Sequence, residues 1–199
     1  MTEFSAQVVL GESLMPVGQL RFTQTGPRQF STFSYDTAWM KNPRAFSLQP
    51  DMPFEGGPFH ASAQPGNPSD ALAGAFSDAT PDSWGRRLLE RAYGKGLSEF
   101  EYLTLSDDAC RQGALRFVDG QGNIITGNTA EAVPRLLDLQ TITAIACAYE
   151  QGKEISAQDM LALAGAGGSG GARPKANVRG DGALWLAKFT SIHDQQPIE

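Results

Sequence analysis

The 199 residues carry 16 basic and 22 acidic side chains, a net charge of −6, with 41% hydrophobic and 19% charged residues. A chain of this size buries roughly 70% of its unfolded surface and folds without disulfide or metal, as one large domain or two small ones. Its acidic balance argues against direct nucleic-acid binding, and no run approaches the roughly 20 apolar residues of a membrane span.

Val8 to Leu10 and Val17 to Phe22, around a Gly11-Glu12-Ser13 break, read as a β-hairpin. Gln29 to Tyr35 follows as a third strand, with Phe30 and Phe33 out of strict alternation. Pro50 to Asn67, rich in proline and with paired glycines at 56 and 57, reads as loop. Thr80-Pro81-Asp82 presents an N-cap, a proline at the first helical position and an acid in the first turn. Trp84, Leu88 and Ala92 then recur on one face until Gly94 and Gly96 end the helix. Ser98-x-x-Glu101 is a capping box for a second helix, and Ala114 to Val118 returns to strand before an Asp119-Gly120 turn. Leu139 to Glu150 has helical period and stops at Gly152, and Ser156-x-x-Asp159 caps a short helix through Leu163. Lys175 to Val178 and Leu184 to Phe189 flank Arg179-Gly180-Asp181-Gly182 and read as a hairpin. The Gly/Asn/Thr-rich stretch between Gly120 and Pro134 divides the chain into residues 1–125 and 126–199.

Between the last helix and that hairpin, Gly165-Ala166-Gly167-Gly168-Ser169-Gly170 satisfies G-x-G-x-x-G. Closely spaced glycines let backbone N–H groups converge on a phosphate, although the same composition suits a flexible linker. A dinucleotide fold needs a strand before the loop and a helix after it. Here a helix comes before the loop, and Pro174 and the Gly180-Asp181-Gly182 turn break the segment after it. Walker A needs Gly-Lys-Ser/Thr, whereas Lys175 follows Pro174. A kinase-style order fits better: glycine loop, hairpin, then a lysine in the apolar strand Leu184-Trp185-Leu186-Ala187-Lys188-Phe189. Both faces of that strand are apolar apart from Lys188, so the strand is expected to be largely covered and the ammonium to need an anion. Arg173 and Lys175 add positive charge where phosphates would lie, and Ser169 is the hydroxyl at the loop tip. The expected fold class is α+β: a small mixed α/β N-terminal subdomain followed by the start of a protein-kinase-like N-lobe, a glycine loop plus β-hairpin.

Gly170-Gly171-Ala172-Arg173-Pro174-Lys175-Ala176, followed by Asp181-Gly182-x-Leu184-Trp185-x-Ala187-Lys188-Phe189, resembles the start of the kinase core in HipA-like proteins. These are serine/threonine kinase toxins of bacterial toxin–antitoxin modules. Phe33-Ser34-Tyr35-Asp36, the run from Phe76 to Leu89 containing Thr80-Pro81-Asp82-Ser83-Trp84-Gly85-Arg86-Arg87, and the run from Asp107 to Phe117 agree with the resemblance. It implies that Gly168, Ser169, Gly170, Gly171, Ala172, Arg173 and Lys175 belong to an ATP loop and that Lys188 contacts phosphate. Members autophosphorylate a loop serine, which ejects the loop and switches the kinase off; Ser169, the nearest hydroxyl, stands one position closer to Lys175 than that serine usually does. The implied partners are ATP with Mg2+, a helix-turn-helix antitoxin of the HipB type, and a translation protein such as an aminoacyl-tRNA synthetase as substrate.

The chain contains no H-R-D-like loop and no D-F-G, its only histidines are His60 and His193, and it stops eleven residues after Lys188. An N-terminal fragment without phosphoryl transfer of its own is the expectation. Two other readings stand beside it: a non-catalytic partner-binding module, with Arg86, Arg87 and Arg91 as a basic helix face that meets an acidic partner or water, and an NAD-dependent oxidoreductase. Cys110 and Cys147 are too few for a zinc site and lack CxxC spacing, and Glu3 stands where a signal peptide needs bases, so a reducing cytoplasm is the expected location.

Overall fold

The computed structural model describes residues 1–127, 138–168, 171–192 and 194. The chain divides into two compact units that interleave in sequence. Residues 1–79, 98–104 and 113–125 form the first; residues 80–97, 105–112 and the described residues from 126 onward form the second. The units interleave across the expected boundary at 125, with segments 80–97 and 105–112 grouped with the later residues. A composition shift marks a linker, but unit membership follows packing.

The first unit is an antiparallel sheet with its helical segments. Strands β1 (Thr2–Leu10), β2 (Met15–Thr25), β3 (Arg28–Tyr35), β4 (Phe59–Ser62) and β5 (Leu115–Val118) lie in the order β4-β3-β2-β1-β5. The i,i+3 spacing of Phe30 and Phe33 puts them on opposite faces: Phe33 is 1% exposed in the core and Phe30 is 42% exposed. Helices α1 (Thr37–Met40) and α2 (Gly74–Ser77) contribute Trp39 and Phe76, and α4 (Glu99–Leu105) contributes Phe100 and Leu103. Phe76 stands 5.0 Å from Phe33, and Phe100 stacks on Phe4 at the same separation. The capping box forms as expected, with Ser98 N donating to Glu101 Oε2 at 2.7 Å and Glu101 N to Ser98 Oγ at 3.2 Å. Strand β4, by contrast, lies inside the stretch read as loop. It pairs Phe59 with Phe33 and His60 with Thr32, so its partner rather than its own short sequence makes it a strand. Tyr35 OH pins the preceding loop, donating to Met52 O at 3.0 Å and accepting from Leu48 N at 2.7 Å.

The second unit contains α3 (Ser83–Tyr93), α5 (Leu139–Glu150), α6 (Ala157–Ala166) and a two-stranded sheet of β6 (Lys175–Gly180) and β7 (Ala183–Lys188). The N-cap of α3 is Asp82, whose Oδ1 accepts from Trp84 N at 3.2 Å. Thr80 and Pro81 precede the cap and instead accept from Arg86, at Oγ1 and at the carbonyl. Asp107 caps the short turn Asp108–Cys110, and Asp108 forms a buried ion pair with Arg111 at 2.6 Å.

Two expectations are corrected here. First, α6 runs on to Ala166, so the opening of the glycine-rich stretch is helix rather than loop. The reason is packing against α3. A Cβ on Gly85 would stand 2.6 Å from Gly167 O, and one on Gly167 would stand 2.7 Å from Leu88 Cδ1, so these glycines let two backbones approach closely. Secondly, β7 is not covered: Leu184, Trp185, Leu186 and Lys188 are all exposed. Strand β6 packs on α5 and α6, whereas β7 is the outer strand and has β6 as its one strand neighbour among the described residues. Alternation tells which side chains share a face but not whether anything lies against it.

Candidate functional site

The loop from 168 to 175 in the second unit is the site to which the sequence points. Ser169 and Gly170 lie outside the described residues, as does His193. Gly168 is buried, and a Cβ there would meet Cys110 at 3.1 Å, so it serves packing at the end of α6. Burial, reinforced by nearby Asp107, pushes the Cys110 thiol up to about 12. It stays protonated in the folded chain at ordinary pH and is not a nucleophile.

From Gly171 onward the surroundings change. Gly171, Ala172 and Arg173 are exposed, and Gly171 has φ +108°. A Cβ on Gly171 would collide with Lys175 Nζ, so the ammonium lies against a backbone that only glycine leaves open. Lys175 is 6% exposed. Asp82 Oδ2, 3.8 Å from the same Cβ position, is buried with no hydrogen-bond partner among the described residues.

Side chains from the second unit peg three carbonyls in and beside this loop. Trp84 Nε1 donates to Lys175 O at 2.9 Å, Arg87 Nη2 to Ala172 O at 3.0 Å, and Asn177 Nδ2 to Ala166 O at 2.9 Å. The arginines read as a basic face therefore divide. Arg86 turns inward to Pro81 and Thr80, Arg87 holds the loop, and Arg91 stays exposed. Trp84, read from the sequence as core, carries an indole donor whose loop contact no helical period reveals. The Arg87 contact to the loop, the Asn177 bond to the end of α6 and the place of Asp82 beside Gly171 are likewise missed by sequence reasoning, although Asp82 and Arg87 stand in the motif that carries the resemblance.

Beyond Ala172, a cleft of about 660 Å³ is lined by Trp84, Arg87, Tyr149, Glu150, Arg173 and Asp194 among others. Its charges already answer one another. Arg173 Nη2 lies 3.0 Å from Asp194 Oδ1, Ser191 N donates to Asp194 Oδ2 at 2.8 Å, and Glu150 accepts from Ser191 Oγ and Ile192 N. A phosphate on Arg173 has to compete with Asp194.

Toward a nucleotide triphosphate, the loop offers an ammonium over a Cβ-free backbone and a further guanidinium close in sequence, each with a carboxylate nearby, Asp82 and Asp194. Lys188 fits less directly, since it is exposed while its cross-strand partner Lys175 is buried. Among the described residues, no group of three or more His, Cys, Asp and Glu side chains is placed to hold a metal ion. No described helix is long and apolar enough to cross a membrane.

No curated protein and no solved structure matches the chain. A family model described as HipA N-terminal domain matches residues 6–117, which takes in the motifs around Tyr35, Trp84 and Arg111 and stops before the glycine loop. That match covers more than half of the 199 residues, and the chain therefore belongs to the HipA N-terminal domain family.

Proposed function

We propose that this HipA-like chain is a toxin–antitoxin component whose second unit grips the triphosphate of ATP for transfer of the γ-phosphate to a protein serine or threonine. The observation that carries the reading is the lysine pair. Lys175 is buried and stands in register opposite Lys188. Residues directly opposite in an antiparallel pair share a face, and like charges there repel. A phosphate lying over Gly171 offsets that repulsion, in competition with the Asp82 carboxylate on the same side of the loop. Mg2+ enters with the nucleotide, and a helix-turn-helix antitoxin and a translation protein are the partners that complete the reading.

Calorimetric titration of Mg·ATP into the chain tests it. Binding is expected, with a loss of tenfold or more for Lys175→Met and a smaller loss for Lys188→Met. No binding at millimolar ATP would sink the reading. Transfer of labelled phosphate is not expected of these 199 residues, which contain neither an H-R-D-like loop nor D-F-G.

The exposed Leu184 and Leu186 on one face of β7, with exposed Trp185 on the other, favour a second reading, a module that docks a protein partner. Retention of a helix-turn-helix antitoxin, lost in Leu186→Ser but kept in Lys175→Met, would favour it over the nucleotide grip.

A further inference from the structure

We propose that Arg87 is a positioning residue for the nucleotide grip, an inference that rests on the ATP reading above. The guanidinium is held from two directions. It lies 5.8 Å from the centre of the Trp84 ring, a cation–π arrangement, and it donates to Ala172 O at 3.0 Å. Trp84 is itself fixed, 1% exposed and bonded to Lys175 O. One helical turn of α3 therefore pegs the loop at Ala172 and at Lys175, three residues apart.

The peptide bond turns this peg into orientation. In a trans peptide the carbonyl and the following N–H point in opposite directions. Holding Ala172 O toward Arg87 therefore aims the Arg173 N–H away from α3, whereas the Ala176 N–H belongs to the β6–β7 ladder, where Ala176 pairs with Ala187. Arg87 is exposed, so its side chain supports little packing. Its removal frees the Ala172–Arg173 peptide to rotate without opening the core.

Such a role separates phosphate from base. ATP and adenosine are titrated into the wild-type chain, Arg87→Ala and Arg87→Lys, with thermal unfolding of each followed without nucleotide. Arg87→Ala is expected to bind ATP about tenfold more weakly and adenosine within twofold of wild type, with an unchanged unfolding midpoint. Arg87→Lys, which retains one donor, is expected to recover part of the ATP affinity. Equal ATP affinity in wild type and Arg87→Ala overturns the positioning role alone. So does a parallel loss of ATP, adenosine and thermal stability, which marks a merely structural residue. A wild-type chain that binds no ATP overturns the nucleotide reading itself, and this inference with it.

Discussion

The two halves of the glycine-rich stretch resemble each other in composition and do opposite work. Gly165, Gly167 and Gly168 are buried, and a Cβ would meet Leu88 Cδ1 at 2.7 Å on Gly167 and Cys110 at 3.1 Å on Gly168. Gly171 is exposed at φ +108°, a conformation that L side chains rarely adopt, and the Lys175 ammonium lies beside it. The first half closes a helix contact, and the second leaves backbone open beside a cation. A run of glycines thus records how near something comes, and only the neighbour's chemistry says whether that is packing or binding.

Substitutions sharpen the contrast. The largest effect is expected at Gly85→Ala, which sets a methyl against the Gly167 carbonyl and destabilises by about 3 kcal/mol, read from urea unfolding. A loss under about 0.5 kcal/mol would show that α3 and α6 keep a wider separation in solution. Gly171→Ala is expected to cost less stability, about 1–2 kcal/mol of backbone strain at positive φ, yet to weaken ATP at least tenfold. Reversal of that order would merge the two halves into one packing element.

The thiol beneath the packed half gives a pH test. The Cys110 pKa is raised when folded, so the folded chain keeps its proton while the unfolded chain loses it above about pH 9. This contribution to stability is complete below pH 9 and is lost progressively as pH rises toward 12. Cys110→Ala should flatten that alkaline decline. At pH 8 a thiol reagent should modify exposed Cys147 and spare Cys110 in the native chain. The smallest effect belongs to β7, where Leu186→Ser should shift stability by no more than about 0.5 kcal/mol.

Much of the local structure is legible in the sequence. Ser98 and Glu101 announce their helix through side-chain acceptors placed three residues apart, and Ser156 with Asp159 does the same at α6. Tyr35, Trp84 and Arg111 lie in motifs that point to the family. The N-cap of α3 falls two residues later than the sequence suggests, because Thr80 and Asp82 are both good caps and Pro81 suits a start at either. Strand β4 and the extension of α6 to Ala166 are not legible, since each depends on a distant surface: Phe33 for one, Gly85 and Leu88 for the other.

What the sequence determined by itself is what neighbouring residues decide among themselves: caps, turns, alternation and the order of motifs, whereas the register that sets Lys175 opposite Lys188 is read from the folded hairpin. Tertiary structure alone decided which of those two lysines is buried, which glycines pack and which stay open, and that Trp84 and Arg87 reach the loop. The reason is physical. Hydrogen-bonding periodicity is a property of a segment, whereas burial and long-range donors depend on what another part of the chain places beside it.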